Sequence, residues 1–284
     1  MNTSTLRPLS LLVFSFAAAT ALAECPPLVD AARLAAKYAN KEIVENPPKL
    51  SLADAQCGRD LLVGFLGQQM SEIIGYKAGL TNPAVQKKFN HGQPVLGVLF
   101  KEMLLADGAQ VTANFGARPL YEADLLVRVK DAGINKARTP AQVMQHIDAI
   151  LPFIELPDLM VQEPAKLDGA SITYINVGAR FGVVGKALPI KDVTLAQLAE
   201  MRVRVVEGDA TELDRGKGSD ILGHPLNAVT WVAQDLARTG RKLKAGDLVS
   251  LGSFSGMRPP KAGQTIRVIY EGLKGNPSVS VKFL

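Results

Sequence analysis

From Gly75 to Leu284 the chain is cut into short apolar runs by Gly, Pro and Asp, and this punctuation constrains the fold more than anything else in the sequence. The clearest runs are residues 125–129, 172–177, 203–206, 248–251, 265–270 and 279–283. Runs this short, bounded by turn formers, are strands rather than helices. In the last of them Val279, Val281 and Phe283 fall on one face, the period of a half-buried strand. Two helical patterns interrupt the strands. One opens at Thr139-Pro140, an N-cap followed by proline at N1, and reaches about Ile150. The other opens at His224-Pro225, carries Leu226, Val229, Val232 and Leu236, and stops before Gly240. Strands and helices do not alternate regularly, which argues against a doubly wound sheet and for a mixed, mostly antiparallel one.

Ahead of Gly75 the texture is helical. Leu28, Ala32, Ala35 and Ala36 recur at helical spacing, and Ser51 with Asp54 makes a capping-box start for a second helix running through Leu61, Leu62 and Phe65 toward Ile73. Further upstream, Arg7 precedes an apolar stretch at 9–19, and Ala21-Leu22-Ala23 has the small-x-small pattern of a cleavage site. The stretch is shorter than the roughly 20 residues of a membrane span. It reads as a signal peptide over 1–23, with an uncleaved anchor as the alternative, and implies a periplasmic or secreted protein. The expected division is the signal peptide, a helical arm over 24–74 and a β-rich body over 75–284. Cys25 and Cys57 are an even pair. In an oxidising compartment they form a disulfide, and otherwise they are two unrelated thiols.

The composition narrows the partners. Apolar residues make up 47% of the 284 and charged residues 21%, the balance of a folded globular chain. The net charge of +5 comes from scattered Lys and Arg with no basic block, so nucleic acid is not an expected partner. No second apolar segment offers membrane insertion after cleavage.

Glu122-Ala123-Asp124 places two carboxylates two residues apart in an apolar, strand-like run, hence on one face. Like charges held that close in a semi-buried setting repel, and a divalent cation coordinating both removes the penalty. Glu155 sits in a second apolar run, 151–157. Three oxygen ligands without His or Cys suit Mg²⁺ or Mn²⁺. The ordinary alternative is an exposed acidic edge with an unrelated glutamate. Lys77, framed by Gly75 and Gly79, combines a reaching amine with a backbone that a ligand can approach closely, unless it is a surface lysine beside a turn. His91, His146 and His224 have no ligand spacing among them and read as surface or capping residues.

Taken together, these segments resemble the 2-keto-4-pentenoate hydratase and 4-oxalocrotonate decarboxylase branch of the fumarylacetoacetate hydrolase superfamily. Gly75-Tyr76-Lys77-Ala78-Gly79-Leu80-Thr81 is similar to the branch's GYKIGLT segment, and Gln93-Pro94 with Gly97-Val98-Leu99-Phe100 follows in order. Glu122-Ala123-Asp124 stands in the place of E-x-E, and Glu155 with Asp158 in that of E-I-x-D-S-R. Residues 222–229 with Trp231 resemble the helix before the last strands, and residues 244–247 with Gly252-Ser253 the strand after it. The resemblance implies an α+β fold, a mixed β-sandwich roll with an N-terminal helical arm. It also implies a metal held by Glu122, Asp124 and Glu155, a catalytic Lys77, and substrate contacts from Asn176 and Ser253. The implied activity is a lyase on a small 2-oxo acid, through a metal-stabilised enolate. Hydration of a 2-hydroxy-2,4-dienoate comes first and decarboxylation second. The implied assembly is a homo-oligomer. Three motifs depart from the family's pattern, and the changes at Ile175, Gly178 and Val95 favour the alternative of a small-acid-binding protein without turnover, against the retained Lys77, Glu122, Asp124 and Glu155. The D-S-R becomes Asp158-Leu159-Met160, A-D-N-A-S becomes Tyr174-Ile175-Asn176-Val177-Gly178, and Val95 follows Gln-Pro where hydratases carry Asp.

Overall fold

The computed structural model describes residue 1, residues 24–208 and residues 211–284. The expected signal peptide lies outside the described residues. Among those described, no helix is long and apolar enough to cross a membrane.

Helix α1 spans Leu28–Asn40 and α2 spans Leu52–Leu66. The capping box at α2 forms as read: Ser51 Oγ accepts from Asp54 N at 3.1 Å, and the Asp54 carboxylate accepts from Ser51 N at 3.3 Å. The helix ends at Leu66 rather than running to Ile73, which instead opens the first strand. Cys25 and Cys57 are joined by a disulfide that ties the segment before α1 to the middle of α2. The arm docks through Tyr38. Its hydroxyl donates to the Ala179 carbonyl at 3.3 Å, and the Arg180 guanidinium lies 4.3 Å above its ring.

The body begins with β1 (Ile73–Gly79), followed by α3 (Pro83–Lys88), β2 (Val95–Phe100), β3 (Leu104–Ala106) and β4 (Ala109–Val111). Next come β5 (Glu122–Val129), α4 (Pro140–Gln145), β6 (Ile147–Leu156), α5 (Gly169–Tyr174), β7 (Phe181–Val184) and β8 (Leu188–Pro189). The chain closes with α6 (Leu195–Glu200), β9 (Arg202–Glu207), β10 (Thr211–Lys217), α7 (Leu226–Arg238), β11 (Leu248–Ser250), β12 (Thr265–Glu271) and β13 (Ser278–Phe283). One sheet has the order β2-β1-β11-β5-β6-β7-β3, with β8 pairing β6, and the other has the order β10-β9-β12-β13-β4. The pairing is mixed: β1 runs parallel to β11 and antiparallel to β2. Contacts of β12 and β13 with β6 join the two sheets over a core that includes Val203, Val205, Ile266, Val268, Val279 and Val281. This is the expected α+β roll with helices at its N-terminus.

Two local expectations are corrected. Residues 172–177 are not a strand: they finish α5 and enter a tight 3-10 turn, Asn176–Gly178. Asp168 starts that helix by accepting from Ser171 N at 2.8 Å, while Ser171 Oγ accepts from Asp168 N at 2.7 Å. A capping box thus outweighs the β-branched composition of the run. The helix from Pro140 ends at Gln145 rather than Ile150, because residues from Ile147 on pair with β5.

Candidate active site

The site forms where β1, β5 and β6 lie side by side with the turn after α5. In the β5–β6 register Glu122 stands directly opposite Glu155. Adjacent like charges destabilise a strand pair unless something offsets them, and here that is Lys77. Its side chain is buried, its Nζ is in contact with Glu155 Oε1, and it donates to the Val177 carbonyl at 3.0 Å. Burial lowers its ammonium to about 8, against the pull of Glu122 and Asp124. Loss of water raises Glu122 to about 7, offset in part by Lys77 and by the neighbouring Ser253 hydroxyl.

Local features make room for Lys77 and aim at it. Gly97 faces it across β1–β2, where a Cβ would come within 2.7 Å of Lys77 Cγ and 3.0 Å of the Asn176 carbonyl oxygen. Only glycine lets the lysine stem pass. Val177 has φ 53°, a left-handed conformation that is costly for a β-branched residue. The strain turns its carbonyl toward Lys77. Asn176 maintains the turn: its Oδ1 accepts from Val98 N at 2.8 Å and its Nδ2 donates to Val98 O at 3.0 Å. The amide is therefore occupied by the backbone of β2, and Asn176 does not reach the cavity wall. Expected as a substrate contact, it is a clamp that positions Val177.

Lys77, Glu122, Glu155 and Ser253 do line one cavity, of about 160 Å³. Asp124 does not. It is fully buried behind the wall, where Oδ1 accepts from the amides of Leu125 (2.5 Å), Leu251 (3.1 Å) and Gly252 (3.0 Å). Its Oδ2 accepts from Ser250 Oγ at 2.5 Å. The three carboxylates expected to face one cleft thus resolve into two on the wall and one turned into the sheet. Among the described residues no three His, Cys, Asp or Glu side chains are grouped to hold a metal. The physical reason is the capture of the short Asp side chain by its neighbour's amide, the Ser250 hydroxyl and the amides just after β11. Behind it, the Tyr270 hydroxyl sits against the Asp124 carbonyl and accepts from Phe153 N at 3.0 Å, tying β5 to β6.

The arginine missing from the Asp158-Leu159-Met160 motif has a counterpart from elsewhere in the chain. Arg180 is buried, and its Nη1 lies 3.3 Å from Asp158 Oδ2. Asp158 also accepts from the amides of Ala117 (3.0 Å) and Arg118 (2.7 Å), and its own N–H donates to Gly178 O at 2.8 Å. Sequence reasoning missed this pair, along with Ser250 and the Val177 carbonyl. Gly97 alone carried a signal, a glycine inside an otherwise apolar strand.

Comparison with known proteins identifies the family. The fumarylacetoacetate hydrolase C-terminal family matches residues 74–275. The 2-keto-4-pentenoate hydratase 2 of Dechloromonas aromatica (strain RCB) is 32% identical over 212 residues, covering 72% of this chain and 77% of that protein. A 4-oxalocrotonate decarboxylase of Pseudomonas putida is 27% identical over 244 residues, covering 86% and 89%. Among solved structures, the 4-oxalocrotonate decarboxylase from Pseudomonas putida G7, complexed with magnesium and adipate, superposes with a TM-score of 0.81 at 25% identity. That match covers 90% of this chain and 97% of that one.

Proposed function

Because the chain belongs to the fumarylacetoacetate hydrolase C-terminal family, in its hydratase and decarboxylase branch, we propose that it is a metal-dependent carbon–oxygen lyase hydrating a small 2-hydroxy-2,4-dienoate or 2-oxo acid. The observation that carries this reading is a buried lysine in contact with Glu155 on a cavity wall where Glu122 stands opposite Glu155.

The donor set suits a hard cation. Glu122 and Glu155 offer oxygen from the wall, and among the described residues no His or Cys lines the cavity. Asp124 retains one acceptor site on Oδ2 beyond its bond to Ser250. Mg²⁺ or Mn²⁺ held by Glu122 and Glu155, with Asp124 supporting or joining them, would supply Lewis-acid polarisation of the 2-oxo carboxylate. The chain's own residues do the rest. The Lys77 ammonium, itself buried, neutralises negative charge developing on the substrate oxygen. The Val177 carbonyl holds Nζ in place while the proton is present. Ser253 lies on the same wall beside Glu122, its hydroxyl donating to the Ser255 carbonyl at 2.7 Å.

One observation favours decarboxylation as a second reading. Val95, where hydratases carry Asp, is a buried wall of β2 and offers no proton. Adding water needs such a group more than losing carbon dioxide does, because decarboxylation requires only an electron sink and a later protonation.

The proposed setting is the periplasm or the exterior, and the Cys25–Cys57 bridge supports it, since such bridges persist in oxidising compartments. A homo-oligomer is part of the same proposal. The test is purified protein with Mg²⁺ or Mn²⁺, offered 2-hydroxy-2,4-dienoates and 2-oxo diacids. Loss of dienoate absorbance without gas release indicates hydration, and carbon dioxide release indicates decarboxylation. Ligand binding without either would identify a binding protein.

A further inference from the structure

We propose that Leu159 is a specificity-determining residue, selecting substrates whose end remote from the 2-oxo carboxylate is a hydrocarbon. The inference rests on the 2-oxo acid reading above and concerns the other end of the same ligand. Charge in the cavity wall is concentrated in Lys77, Glu122 and Glu155. Much of the remaining wall is Leu80, Phe89, Leu159, Ile172, Val177 and Met257. Lys88, the one further cation on the wall among the described residues, is an exposed side chain at the end of α3.

Leu159 stands where the family's D-S-R motif has serine, and it is buried. Its side chain fits there because of a second departure from the motifs, at Gly178, where A-D-N-A-S also ends in serine. A Cβ at Gly178 would lie 3.1 Å from Leu159 Cδ2, tight enough to displace it. The two departures therefore act as a pair: one polar side chain is lost so that another position can carry a branched apolar one. A carboxylate brought against these side chains would shed its water among apolar groups, with the Thr81 hydroxyl as a neutral buried donor on the same wall. A short alkyl or alkenyl tail would bury apolar area there instead.

Isothermal titration of the Mg²⁺-loaded protein with three probes tests this. Pyruvate carries the head without a tail, 2-oxohexanoate adds an alkyl tail, and 2-oxoadipate ends the same length in a carboxylate. The expected order has 2-oxohexanoate about tenfold tighter than either of the others. In Leu159→Ser the ratio of 2-oxohexanoate to pyruvate affinity falls about tenfold. Equal or tighter binding of 2-oxoadipate by the wild type overturns the proposal without any variant having to fold. If Lys88→Gln then removes that preference, the far end belongs to Lys88 instead. An unchanged ratio in a folded Leu159→Ser also overturns it. Failure of all three probes, pyruvate included, would remove the 2-oxo acid reading itself and this inference with it.

Discussion

A carboxyl group deprived of water holds its proton more firmly, and Glu122 is kept in that condition by the strands around it. Its value of about 7 has a direct consequence for metal affinity. Above pH 7 the carboxylate is ionised and free to bind, whereas below it a proton must first be displaced. Titrations with Mn²⁺ at pH 6 and pH 8 should therefore give a dissociation constant roughly tenfold weaker at the lower pH. An affinity flat across that range would count against Glu122 as a ligand. Glu155 and Lys77 should separate in a paired experiment. Glu155→Ala should abolish the thermal stabilisation given by Mg²⁺ or Mn²⁺, because linked stability disappears with affinity. Lys77→Ala should keep most of that stabilisation while turnover drops about 10²–10³-fold, the usual effect of losing a charge-stabilising donor. If both variants lose the metal shift equally, Lys77 is holding the carboxylates in place rather than serving the reaction.

Among the elements, the turn Asn176–Gly178 joins the most functions in the fewest residues. Asn176 clamps β2, Val177 aims a strained carbonyl at Lys77, and Gly178 leaves space for Leu159. Asn176→Ala would leave both Val98 backbone groups without partners, at about 1–3 kcal/mol of stability. Turnover should fall by more than the loss of folded protein explains, and circular dichroism melts alongside kinetics separate the two. This turn also marks where the sequence stops being readable. Residues 172–177 are rich in β-branched and aromatic side chains, so composition favours a strand, while the Asp168–Ser171 capping box decides for a helix. Elements whose information is local, such as α7, β12 and β13, were legible. Lys77, Glu122 and Glu155 were singled out through their resemblance to the family's motifs, since spacing alone left each an ordinary surface reading. The role of Asp124 was not legible, because it depends on Ser250 and the amides of Leu251 and Gly252, more than 120 positions away. Arg180 was hidden for the same reason: nothing near it in the chain names Asp158 as its partner.

At the scale of the whole molecule, the disulfide closes a 32-residue separation between the segment before α1 and α2. Cys25→Ser with Cys57→Ser should lower the unfolding free energy by about 2–4 kcal/mol, seen as a lower urea midpoint. An unchanged midpoint would mean the arm is held by Tyr38, Arg180 and the α2–α5 packing alone. The pairing of β1 with β11 carries a consequence of another kind, in time rather than in space. Lys77 lies in register with Ser250, and Ser250 in turn holds Asp124. The two strands are separated by most of the body, so the site has no local precursor and exists only once the sheet has closed end to end. Non-local pairings of this sort are late events in folding, because a long loop must be closed before any contact rewards it. During refolding from urea, helical circular dichroism should therefore recover first. Ligand binding should return only with the slowest phase, as a property of the finished sheet and of no part of it.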